Sequence, residues 1–178
     1  MKTIISNQLE SKKRSLFSST CDYINQFRWD YFVTLNFNHT VNHQEAQQIL
    51  RRFIKILNNR IFGCRSNKAI NLIPSIEPHH TDGVHIHLLM EDPCHRMTKY
   101  QQARAICLSD AVRSAWESSD PSTAWISKSC PDGKSWFKPI TETPWVLGGY
   151  LSKTLRYGYN DAVQWDMMIT NGRRIAHL

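Results

Sequence analysis

No Cys-x-x-Cys pair occurs in this chain. Its five cysteines, Cys21, Cys64, Cys94, Cys107 and Cys130, are odd in number and scattered. That argues against a disulfide framework and against a four-cysteine zinc site, and fits a reducing compartment. Nowhere do about 18 consecutive apolar residues suggest a helical membrane span. The opening MKTIISNQLESKKR lacks the apolar run of a signal peptide, so the expectation is a soluble, cytoplasmic protein with no membrane partner. Internal repeats and low-complexity tracts are also missing, which leaves little support for a solenoid or a disordered chain. Acidic residues are in deficit. Fifteen Asp and Glu against 22 Lys and Arg give a formal charge of +7, a bias that suits a polyanionic partner without establishing one.

What is present is enough for one domain: 178 residues, 41% hydrophobic. Residues 1–25, with Lys12-Lys13-Arg14, read as a polar basic arm leading to a short helix around Asp22 to Phe27. Residues 26–160 read as the folded domain and 161–178 as a C-terminal tail. The segment WDYFVTLNF, Trp29 to Phe37, is rich in aromatic and β-branched residues and alternates, which predicts a strand. Asn42-x-x-Glu45 resembles a capping box, and Ile49, Leu50, Phe53, Ile54, Leu57 and Ile61 recur at helical spacing until Gly63. An amphipathic helix of some 20 residues follows, with Arg51, Arg52 and Lys55 outward. KAINLIPSIE, Lys68 to Glu77, predicts a second strand, placed at an edge or carrying a bulge because of Pro74. Further on, Thr98 to about Trp116 predicts a helix. Residues 122–140 predict a hairpin around Pro131-Asp132-Gly133, and Thr143 to Gly158 predict a last helix. The order β, α, β, β, α, ββ, α predicts an α+β fold, an antiparallel sheet with helices mainly on one face and the other face free.

VHIHLLM, Val84 to Met90, follows a turn-like Thr81-Asp82-Gly83 and pairs naturally with the preceding strand. Strand alternation puts Val84, Ile86, Leu88 and Met90 on one face and His85, His87 and Leu89 on the other. Hairpin pairing could bring the Glu77 carboxylate beside the histidines. Two imidazoles and a carboxylate make a three-ligand set with open positions, suited to a hydrated Mg²⁺ or Mn²⁺ that also binds phosphate oxygens. Zinc is less natural without cysteine. His79 and His80 fall in the loop between the strands, and Asp82 is a nearer acidic neighbour of the histidines.

In Gly149-Tyr150-Leu151-Ser152-Lys153-Thr154-Leu155-Arg156-Tyr157, helical spacing sets Tyr150 and Lys153 on one face while Leu147, Leu151 and Leu155 face the core. A phenol can attack phosphorus when its oxygen is oriented and the phosphate charge is offset, and a lysine at that spacing supplies the cation. GGYLSKT is not a nucleotide-triphosphate loop. The glycines that such a loop requires would fall at Leu147 and Ser152.

FVTLNF at 32 to 37, Glu77 followed by His85-Ile86-His87, and Tyr150-Leu151-Ser152-Lys153 stand in one order. Together they resemble the HUH endonucleases and, among them, the single-tyrosine rolling-circle replication initiators. The resemblance covers roughly residues 29 to 158. It implies a ferredoxin- or RRM-like sheet carrying the metal ligands Glu77, His85 and His87. Tyr150 would be the nucleophile, and Lys153 would position or neutralise the phosphate. It also implies nicking of single-stranded DNA at a replication origin or hairpin of a plasmid or phage, leaving a 5′-phosphotyrosine and a free 3′-OH that can prime synthesis. Only Tyr150 sits in the motif position, unless Tyr157 substitutes for a second tyrosine. No helicase segment accompanies the motifs, so a host helicase and polymerase would be needed. DNA contacts are expected from Thr34 and Asn36 on the first motif strand and from Arg51, Arg52, Lys128, Lys138 and Arg156, with Arg173 and Arg174 as further cations.

Other readings stay open. A single-strand transposase or relaxase would share the chemistry. An RRM-like module would hold single strands by stacking and charge, independently of metal and of Tyr150. A zinc protein would hold its ion tightly and stoichiometrically.

Overall fold

The computed structural model describes residues 17–78, 82–99, 102, 107–126, 136–141 and 162–175. Its elements are α1 (17–24), β1 (Tyr31–Phe37), α2 (His43–Phe62), β2 (Leu72–Pro78), β3 (Val84–Met90), α3 (Leu108–Ser119), β4 (Ala124–Trp125) and β5 (Phe137–Pro139). The fold is α+β, built on an antiparallel five-stranded sheet. The strand order is β2-β3-β1-β4, with β5 also on β1.

Helix α2 begins where the sequence predicts. The Asn42 side chain accepts a hydrogen bond from the Glu45 amide at 2.9 Å, satisfying one of the otherwise orphaned N–H groups of the first turn and contributing about 1 kcal/mol. It ends at Gly63, whose φ of 89° lies where side chains are disfavoured. The apolar stripe of α2 packs with α3 onto Val33, Leu35, Leu72, Ile76, Ile86, Leu88 and Met90, forming the main core. By the strand register every one of these residues lies on the face opposite to the histidines: Ile86, Leu88 and Met90 by alternation along β3, and Val33, Leu35, Leu72 and Ile76 by pairing with them. The chemistry of β3 therefore faces away from α2 and α3.

The far face, which the sequence suggests is free, is covered in part. At one end Ile73 and Leu89 are covered by Ile24 of α1, Trp29 and Val163, with Phe32 packed alongside. This second apolar cluster leaves only the other end of that face for polar groups. The segment 162–175, read as a tail, is instead built into the sheet edge. Ser75 bridges to Val163 and Leu72 to Ile169, and Met167 and Ile169 join the main core. Pro74 finds its place here. The Pro74 carbonyl accepts from the Gln164 amide, and the Leu72 and Ile76 amides donate to Ile169 and Ala162, so position 74 turns its missing N–H to the outer edge. Pairing with β3 runs unbroken from Leu72–Met90 to Pro78–Val84, and no bulge forms.

Two further expectations need correction. The predicted helix from Thr98 to Trp116 is interrupted: Thr98 accepts a bond from the Gln102 amide, but Cys107 is extended and a separate α3 starts at Leu108. Among the described residues, the two arms of the predicted hairpin do not pair with each other. β4 joins β1 at Asn36 and Phe37, while β5 joins the same edge at Tyr31 to Val33. Both supply one interrupted edge strand, with β5 nine residues further along the chain than unbroken pairing from β4 would put it. A turn sequence can break a strand without folding its arms together when β1 offers an unpaired edge. The tip of that hairpin and the predicted helix Thr143 to Gly158 lie outside the described residues.

Candidate metal centre

Three donor groups converge on the polar end of the far face. Glu77 pairs with His85 and Ser75 with His87 across β2 and β3, and Thr34 of β1 pairs with His87 on the other side. Paired residues in antiparallel strands project to the same side, so the register alone stacks these side chains together. The His85 and His87 Nε2 atoms are 2.9 Å apart, and Glu77 Oε2 lies 3.9 Å from each. Among the described residues these three form the group of His, Cys, Asp and Glu whose ligand atoms come within 4.8 Å of one another.

The donor set fits a divalent cation. Two nitrogens bound at about 2.1 Å and at right angles would be about 3 Å apart, close to the Nε2 separation found. Glu77 is 1% exposed and His87 5%. A carboxylate so deeply buried is costly unless positive charge stands beside it, and the charge of a bound cation meets that need. The His85 side chain is more open, at 19%, so the mouth of the site lies on its side.

His87 is held by its neighbours. Its Nδ1 lies 3.1 Å from Thr34 Oγ1, and its ring lies on Phe32 with centroids 5.0 Å apart. When Nδ1 carries the proton and donates to Thr34, the Nε2 lone pair is directed to the site. Sequence reading assigned Thr34 to DNA. Its contact with His87 depends on the β1–β3 register, which no local motif reveals. Thr34→Val keeps the shape but removes the acceptor, so Mn²⁺ affinity measured by calorimetry should fall about 10- to 100-fold with little loss of stability. An unchanged affinity would show that Thr34 does not orient the ring.

The remaining predicted residues distribute unevenly. Asn36 is on the same face as Thr34, and its carbonyl accepts from Trp116 Nε1 at 3.0 Å. Lys138 pairs with Phe32 and also projects to that face. Arg51 and Arg52 are on α2, across the sheet from the histidines, and are engaged by Asp166 and Asp120 respectively. Arg174 bonds Asn59 and the Gly63 carbonyl at the end of α2, and Arg173 bridges to Lys68, nine residues along the chain from Glu77. Asp82 is exposed beside Gly83 and is not part of the cluster. His79, His80, Lys128, Tyr150, Lys153, Arg156 and Tyr157 lie outside the described residues. Sequence reading overlooked Trp125, which opposes Asn36 on the histidine side and is 46% exposed. Strand alternation from buried Ala124 was the available signal.

No helix among the described residues is long and apolar enough to cross a membrane. No family model, no curated protein and no solved structure matches the chain.

Proposed function

We propose that this protein is a metal-dependent, single-tyrosine HUH-type endonuclease. It would nick and rejoin single-stranded DNA and so initiate rolling-circle replication of a plasmid or phage. The observation that carries the reading is the convergence of Glu77, His85 and His87 from paired strands, the acidic residue upstream of the two histidines as in the HUH motif that the sequence resembles. Glu77, His85 and His87 would hold Mg²⁺ or Mn²⁺, which when bound polarises a phosphodiester and offsets the charge that develops on it. The same donor types also suit ferrous ion and zinc, so all four metals belong in the titration.

The chain's own groups supply the rest. Tyr150, in the Tyr-x-x-Lys motif, would attack phosphorus through its phenolic oxygen. The phosphorus–O3′ bond breaks, the 3′-oxygen leaves as a hydroxyl after taking up a proton, and the 5′-phosphate remains esterified to Tyr150. Lys153 would offset phosphate charge. The ester keeps the bond energy, so the 3′-OH can attack it in reverse and reseal the strand. The half-open mouth on the His85 side is compatible with a phosphate entering between the histidines and solvent.

The test is a denaturing gel of the protein incubated with labelled single-stranded DNA from its own replicon. The expected result is a covalent adduct in Mn²⁺ and none in EDTA. Binding that persists in EDTA with no adduct from any replicon strand would replace this reading by a non-catalytic single-strand-binding module.

A further inference from the structure

An exposed tryptophan on a sheet face is unusual enough to require a reason. Trp125 presents 46% of its surface to solvent, although aromatic side chains of this size normally bury most of theirs. Its neighbours show that it has not simply failed to pack. Ala124, one residue earlier, is buried and pairs with Phe37 on the core side, so alternation turns the Trp125 indole to the opposite side, the face of the histidines.

The register gives its position relative to the metal group. Asn36 is the β1 residue opposite Trp125, and it follows the Leu35–Ile86 pair, which brings it level with His85. Two strand spacings separate β3 from β4, so the Trp125 backbone lies about 10 Å across the sheet from that of His85. Lys138 projects to the same face from the level of Phe32, four residues along β1 from Asn36 and hence about 13 Å away. An aromatic ring and a cation thus flank the side of the metal group that faces the β1 edge. Their separation spans about four stacked nucleotides.

The platform is also rigid. The Trp125 carbonyl accepts from Trp116 Nε1 at 3.2 Å, the same N–H that bonds the Asn36 carbonyl. The Ala124 amide donates to the Asp120 carbonyl at 2.8 Å, and Thr123 accepts from the Asn38 amide at 3.0 Å. Asp120 in turn accepts from the Ser122 amide and hydroxyl, and Arg52 pairs with it. A ring on backbone tied down at so many points loses little freedom when a ligand stacks on it.

We propose that Trp125 is a stacking platform for an unpaired nucleobase next to the metal centre, with Lys138 contacting the phosphate backbone of the same strand. This deepens the proposed function, on which it rests for the identity of the polymer. A flat π-surface takes any base, so the platform contributes affinity and register rather than sequence readout. It also selects single strands, since a base paired within a duplex cannot offer its face.

The experiment uses the full chain, a fluorescent oligo-dT and its duplex form, in EDTA, followed by anisotropy and intrinsic tryptophan emission. Expected are binding of the single strand over the duplex, quenching of emission, and affinity about 10-fold or more weaker in Trp125→Ala. Trp125→Phe should keep most of the affinity, and Trp165→Ala, which removes the exposed tryptophan at the far sheet edge, should keep all of it. Mn²⁺ titration of each variant reports that the sheet is intact. If Trp125→Ala is misfolded, Trp125→Phe decides through emission: quenching equal to wild type in that variant overturns the platform. Wild-type affinity in a folded Trp125→Ala overturns it too. If the wild type forms the Mn²⁺-dependent adduct in either of those cases, the endonuclease reading survives alone. A wild type that binds no single strand ends both.

Discussion

Tyr150→Phe should abolish the covalent protein–DNA adduct while Mn²⁺ binds as in the wild type, and His87→Ala should lose both. The first substitution deletes one oxygen atom and leaves a ring of nearly the same shape, so a structural role for the residue would survive it. Only a role that forms a bond through the phenolic oxygen would not. The second removes a donor that is 5% exposed, 2.9 Å from its partner nitrogen and supported from behind by Thr34. With it gone, Glu77 and His85 must hold the cation as a pair. The affinity loss should then exceed the about 10- to 100-fold expected when only a supporting contact is cut. Gels with labelled single-stranded DNA and calorimetric Mn²⁺ titrations, run on the same preparations, separate the two effects. An adduct that persists in Tyr150→Phe would move the nucleophile elsewhere, with Tyr157 as the next residue to replace. Unchanged Mn²⁺ affinity in His87→Ala would remove the metal from this face altogether.

The metal group was legible in the sequence because its geometry is dictated by two short-range rules. Alternation puts His85 and His87 on one side, and antiparallel pairing of the neighbouring strands β2 and β3 sets Glu77 opposite His85. Helix α2 was legible for a similar reason, since its cap and apolar stripe are local. Longer-range pairings were not. The Thr34–His87 contact joins residues 53 positions apart, and β1 neighbours β3 because of competition among strands that no window of sequence contains. Segment 162–175 reads as a tail because its alternation, Val163, Trp165, Met167 and Ile169, is short, and its two bridges to β2 are isolated contacts on either side of a 3-10 turn at Trp165–Met167 rather than a continuous strand. The covering of the far face by Ile24 and Trp29 was hidden likewise, for α1 (17–24) lies inside the segment that reads as a polar arm, ahead of the helix expected around Asp22 to Phe27. The predicted hairpin failed for a different reason. Its turn signal was read as a hairpin, but both described arms pair with the open edge of β1.

Trp116→Ala should destabilise the fold by about 3–5 kcal/mol, a large part of the about 5–15 kcal/mol typical of a domain this size. Trp116 is fully buried in α3, edge-on to Phe37 at 5.2 Å and to Phe53 at 5.7 Å, so its ring fills the junction of β1, α2 and α3. Its Nε1–H bridges the carbonyls of Asn36 and Trp125 and so pins β4 to the edge of β1. Trp116→Phe separates the two roles. It retains much of the ring volume but leaves two carbonyls without that donor, and about 1–3 kcal/mol should be lost in guanidinium unfolding. The local consequence follows from topology. The candidate metal ligands depend on β2–β3 pairing and on Thr34, whereas Trp125 depends on the bridge from Trp116. In Trp116→Phe, Mn²⁺ affinity should therefore equal wild type while oligo-dT affinity falls. A parallel fall in both would mean that the two halves of the face share one cooperative support, and that the edge strand stabilises the metal group as well as flanking it.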